Sequence, residues 1–225
     1  MARETFDRQI NQVRDEILLL GSMVEQAMLS AVDSLKQRNI NVATSVLKSD
    51  NQINEKRFAI ENAILIIIAT QQPIAHDLRL LAAMLEIITE LERMGDYAKG
   101  IARITINLGD ADVPIPIRDI SQMADKAVSM LHRGLGAFIS ENVHQATLIP
   151  REDDEVDILY TKIYHQIMTH MIENPECIDT ANSLLWVAHN IERMADRVTN
   201  ICERTVFINT GELLEMDSSD DEEPE

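Results

Sequence analysis

Residues 91–102 read LERMGDYAKGIA and residues 191–202 read IERMADRVTNIC. Laid one over the other, they are identical at Glu92/Glu192, Arg93/Arg193, Met94/Met194, Asp96/Asp196 and Ile101/Ile201, an offset of 100 residues. Earlier in each half, at an offset of 103, Met28, Leu35, Ala43, Val46 and Asp50 meet Leu131, Phe138, Ala146, Ile149 and Asp153. A small change in one loop reconciles the two offsets. The simplest architecture for a chain that repeats itself in this way is a tandem duplication into two equivalent units.

Each unit is helical. Met84, Ile87, Leu91, Met94, Ala98 and Ile101 step by three or four residues. So do Leu184, Ala188, Ile191, Ala195, Val198 and Cys202, and both sets are continuous stripes of a 3.6-residue helix. Further helices are expected over residues 4–37, 41–70, 118–140 and 142–173, six in all. Only 7 Gly, 6 Pro and 8 aromatic residues occur, too few turn and strand formers for an all-β chain. The fold class is therefore all-α: two tandem antiparallel three-helix bundles packed side by side. Repeat one is assigned to residues 1–112, repeat two to 113–211 and an acidic tail to 212–225. Gly, Asp and Pro residues at 109–116 mark the linker. Gln72-Pro73 and Asn174-Pro175 each read as a helix start with Pro at its first position, and Pro150 predicts a kink or break in the fifth helix.

With 38 acidic against 20 basic residues the net charge is −18, which repels phosphate backbones and excludes nucleic-acid binding. Eight of the acids follow Gly211 without a base, and the last ten residues are expected to be a disordered, solubilising end. The first sixteen residues alternate charges and lack the apolar stretch of a signal peptide, so a cytoplasmic location is expected. The longest unbroken apolar run, residues 63–69, has seven residues against the ~20 of a membrane-crossing helix. Cys177 and Cys202 fall 25 positions apart, so on one helix they are too distant for a disulfide; two reduced thiols are expected.

The chemistry lies in the acids. Glu92 with Asp96, and Glu192 with Asp196, place two carboxylates one turn apart on one helix face, an arrangement that like-charge repulsion disfavours unless something positive answers it. Asp50 and the pair Asp153/Asp157 lie on the second helix of each half, with Glu152, Asp154 and Glu155 beside the latter. Antiparallel pairing would bring Asp153, Asp157, Glu192 and Asp196 into one oxygen-rich set suited to hard or borderline cations, to which His189 adds a nitrogen. The competing reading is a solvated acidic face paired with Arg79, Arg93, Arg193 and Arg197. Gly-rich phosphate loops, nucleophile elbows, H-E-x-x-H and C-x-x-C are absent, so an enzyme is not expected.

Gln71-Gln72-Pro73-Ile74-Ala75-His76-Asp77-Leu78-Arg79, followed by the two L/I-E-R-M-G/A-D motifs, closely resembles the PhoU family, accessory regulators of bacterial high-affinity phosphate uptake. The likeness extends from Gly21-Ser22-Met23-Val24-Glu25-Gln26 through Arg151-Glu152-Asp153-Asp154 to Asn200-Ile201-Cys202-Glu203. It implies two three-helix bundles and no catalysis. It also implies negative regulation, with the chain mediating between the phosphate transporter ATPase and a sensor histidine kinase. A homodimer is expected. Asp77, Arg79, Arg93 and Arg193 are then the candidates for partner contact. Iron or zinc clusters in the family carry over to Glu92, Asp96, Asp153, Asp157, Glu192 and Asp196, with Asp50 and His189 as further ligands; iron, manganese or zinc are the metals expected. The first-half counterpart of Asp153/Asp157 reads Asp50-x-x-x-Asn54, so one carboxylate there is an amide. The alternative is a carboxylate-bridged helical metalloprotein, a metal store or an oxidase.

Overall fold

In the computed structural model, which describes residues 2–109 and 116–216, helices α1 (Ala2–Gln37), α2 (Ile40–Gln71) and α3 (His76–Leu108) form the first bundle. Helix α4 (Ile117–Ile139), the short α5 (Val143–Leu148), α6 (Asp153–Glu173) and α7 (Ile178–Thr210) form the second. Each half packs its three long helices against one another, and the halves join through α3 on α7 and α1 on α4. The expected boundary near residue 112 and the end of the acidic tail fall outside the described residues.

The stripes drive this packing. Every member of the two six-residue sets on α3 and α7 is fully buried. The pairs at the 103-residue offset are buried in both halves too, down to the acids Asp50 and Asp153 at 4% and 2% exposure. Even a turn is repeated. Arg38 and Glu141 both sit at positive φ (51° and 49°), and the next residues, Asn39 and Asn142, cap α2 and α5 by accepting backbone N–H groups on their side-chain oxygens. The halves come so close that a Cβ at Gly21 on α1 would stand 2.2 Å from Leu135 Cδ1 on α4. Across α3 and α7, Arg197 donates to the Tyr97 hydroxyl at 3.3 Å and pairs with Glu90 at 3.3 Å.

Proline behaves differently at positions 150, 175 and 73. Pro150 breaks the fifth helix as expected, into α5, a 3-10 turn over Ile149–Glu152, and α6. Pro175 opens a 3-10 turn, Pro175–Cys177, ahead of α7. Pro73 departs from expectation: it does not start α3. Gln72 ends α2 in the left-handed region (φ 50°, ψ 56°), consistent with the steric bar on helical backbone before proline, and α3 begins only at His76.

Helix α1 contains an 18-residue window of mean hydropathy 1.2, apolar enough by length and composition for a membrane span. Half of that window is buried inside the protein. Ile17, Leu20, Val24 and Met28 at 0% exposure account for it as a core helix.

Candidate functional site

Helices α2 and α3 run side by side, as do α6 and α7, and the acids couple electrostatically across each pair: Asp50 with Glu92 in the first half, Asp153 with Glu192 and Asp196 in the second. In the second half Asp153 is buried at the start of α6, with Oδ1 making no hydrogen bond. Burial, and then the like charges of Asp157, Asp196 and Glu192, push its carboxyl up to about 7. His189, one turn before Glu192, stands 3.1 Å from the Glu192 carboxylate and packs edge-on against Trp186 with Tyr160 nearby.

The first half is built from the same positions and is occupied differently. Asp50 Oδ2 accepts from Lys99 Nζ at 2.6 Å and from the Asn54 amide at 3.3 Å, and Lys99 also reaches Asp96 at 3.5 Å. Its hydrogen bond to Asp50 holds the Lys99 ammonium above its ordinary value. Glu92, in the same cluster, is raised by burial and then by Asp96, with Arg57 opposing.

Two acids beside Asp153 belong elsewhere. Glu152 takes a two-pronged contact from Arg133 (2.5 and 2.6 Å), and Glu155 pairs with Lys126; both cations are on α4, so these carboxylates face α4 and are not part of the set. The expected partner-contact residues hold intramolecular positions. Asp77 accepts from Arg3, and Arg79 donates to the Ile208 carbonyl at 3.1 Å, tying the start of α3 to the end of α7. Arg93 pairs with Glu90 at 3.2 Å and Arg193 with Asp196 at 3.6 Å. Lys99 is the residue that sequence reasoning passed over, although the signal was present: the repeat alignment sets it opposite Thr199.

Chemically, the second half offers oxygen donors, one of them orphaned in the interior, as a hard or borderline cation requires. Among the described residues, no three His, Cys, Asp or Glu side chains are placed to hold one ion, so binding there needs side-chain rotation. In the first half the Lys99 ammonium pairs with the buried Asp50 carboxylate.

The PhoU domain model matches twice, at residues 17–105 and 120–205, one copy per bundle. The chain belongs to the PhoU family. It is 32% identical over 217 residues to the phosphate-specific transport system accessory protein PhoU homolog of Clostridium acetobutylicum, covering 96% of this chain and 99% of that one. Against the PhoU accessory protein of Escherichia coli K12 it is 33% identical, covering 92% and 86%. The crystal structure of the phosphate transport system regulatory protein PhoU from Streptococcus pneumoniae superposes with a TM-score of 0.86 at 29% identity, over 93% of this chain and 99% of that one. PhoU from Pseudomonas aeruginosa gives the same score at 28% identity, over 92% and 100%. These solved PhoU folds match the doubled bundle that the repeat predicts.

Proposed function

We propose that this chain is an accessory regulator of a phosphate transport system. In this reading it is a cytoplasmic adaptor that docks on the transporter ATPase and on a sensor histidine kinase and keeps phosphate-starvation genes off. Support comes from the names of its relatives, which are phosphate-specific transport system accessory proteins. The observation in the molecule that carries it is the doubled acid pair, Glu92/Asp96 and Glu192/Asp196, set on equivalent positions of the two central helices. An acidic face at a fixed spacing complements basic patches on a partner and steers its approach.

A divalent cation in the second half would be held by Asp153, Asp157, Glu192 and Asp196, with His189 alongside, and would supply positive charge to a like-charged cluster. The role in this reading is regulatory and structural, as the names of the relatives as accessory proteins suggest. The test joins two measurements on protein purified without a metal-affinity tag. Glu92→Gln, Asp96→Asn, Glu192→Gln and Asp196→Asn together should abolish capture of the ATPase and kinase and derepress a phosphate-starvation reporter. Elemental analysis should find metal that disappears in Asp153→Asn/Asp157→Asn. Unchanged partner binding in the quadruple variant would refute the docking surface.

A further inference from the structure

The two carboxylate clusters share a template and differ in one residue that matters electrostatically. The 100-residue offset sets Lys99 against Thr199. On the first side, the Lys99 ammonium lies 2.6 Å from Asp50 Oδ2 and 3.5 Å from Asp96 Oδ1, so it spans α2 and α3. Asp50 is 4% exposed, and the oxygen facing the ammonium also accepts from the Asn54 amide. On the second side, the residue aligned with Lys99 is the short, neutral Thr199, which supplies no positive charge. Thr199 is 8% exposed and its Oγ1 makes no hydrogen bond; nor does Oδ1 of Asp153, the counterpart of Asp50.

A lysine ammonium and a divalent cation compete for the same carboxylate oxygens. The lysine is tethered, so its effective concentration at the site is high, and a metal must displace it and leave the amine without its partner. The two donors on Asp50 come from the protein itself, which leaves the oxygen committed before any ion arrives. We propose that Lys99 is a built-in cation that occupies the first-half carboxylate site and excludes divalent metal from it, and that removing its amine opens a divalent-cation site on Asp50, Glu92 and Asp96. This deepens the metal reading above and rests on it only for the second half.

The test is titration of EDTA-stripped protein with Mn²⁺, following free ion by electron paramagnetic resonance. Lys99→Thr should bind about one Mn²⁺ per chain more than wild type, and the gain should vanish in Lys99→Thr/Asp50→Asn. Asp50→Asn alone should leave the wild-type stoichiometry unchanged. Equal stoichiometry of Lys99→Thr and wild type would overturn the proposal, as would loss of wild-type Mn²⁺ on Asp50→Asn. If Lys99→Thr gains an ion while wild type binds none, the second-half metal reading fails and Lys99 as internal cation stands. Thermal melts establish that the variants fold; Lys99→Gln, neutral and of similar length, is the second variant and should give the same gain.

Discussion

Replacing Asp153 by Asn should stabilise the EDTA-stripped protein, and by more at pH 8 than at pH 5. Asp153 is 2% exposed, its Oδ1 has no hydrogen bond, and burial with three acidic neighbours lifts its carboxyl from 3.8 to about 7. Between those values the folded chain keeps a proton that the unfolded chain has released. The acid's contribution is therefore neutral below 3.8, grows more unfavourable as pH rises through the window, and is constant above about 7. At about 1.36 kcal/mol per pH unit, the window corresponds to roughly 4 kcal/mol of lost stability at pH 8. At pH 5 the loss is only about 2 kcal/mol by the same linkage. Asn fills nearly the same space and cannot ionise. The advantage of Asp153→Asn over wild type in urea unfolding should thus widen by ~2–3 kcal/mol from pH 5 to pH 8. A difference that stays constant with pH, or a variant less stable than wild type at pH 8, would refute the reasoning.

Lys99→Met should destabilise by ~1–3 kcal/mol, because it strands the buried Asp50 carboxylate, and adding Asp50→Asn should recover most of the loss in a chemical-denaturation cycle. Gly21→Ala drives a methyl to within 2.2 Å of Leu135 and should cost ~1–3 kcal/mol, read as a lowered Tm. The Cys202 thiol, fully buried and pushed up to about 12 chiefly by that burial, should resist a thiol-reactive dye in the native protein while the part-exposed Cys177 reacts; similar rates would contradict the packing of α7. Arg197→Met removes the Tyr97 and Glu90 contacts between the halves and should lower Tm more than Arg93→Met, whose contact stays within α3.

The repeat in the sequence determined most of the architecture. Periodicity fixes where a residue lies around its own helix axis, so the buried stripes of α3 and α7, and the placing of Glu92/Asp96 and Glu192/Asp196 at their edge, were legible from residues 84–101 and 184–202. Pro150 marked a real break because proline removes a donor at any helix interior. Pro73 misled because the proline pattern of a helix start also serves a helix end: it was Gln72, turning left-handed, that ended α2. What periodicity cannot supply is the identity of the facing helix. Glu152 and Glu155 adjoin Asp153 in sequence, yet they turn to Arg133 and Lys126 on α4, away from α7. Lys99 is one turn along α3 from Asp96, but its meaning depends on Asp50, 49 residues earlier on another helix. Sequence set the positions of the charges along each helix; only the packing of α2 on α3 and α6 on α7 decided which charges share a low-dielectric pocket, where attraction, repulsion and desolvation are strongest.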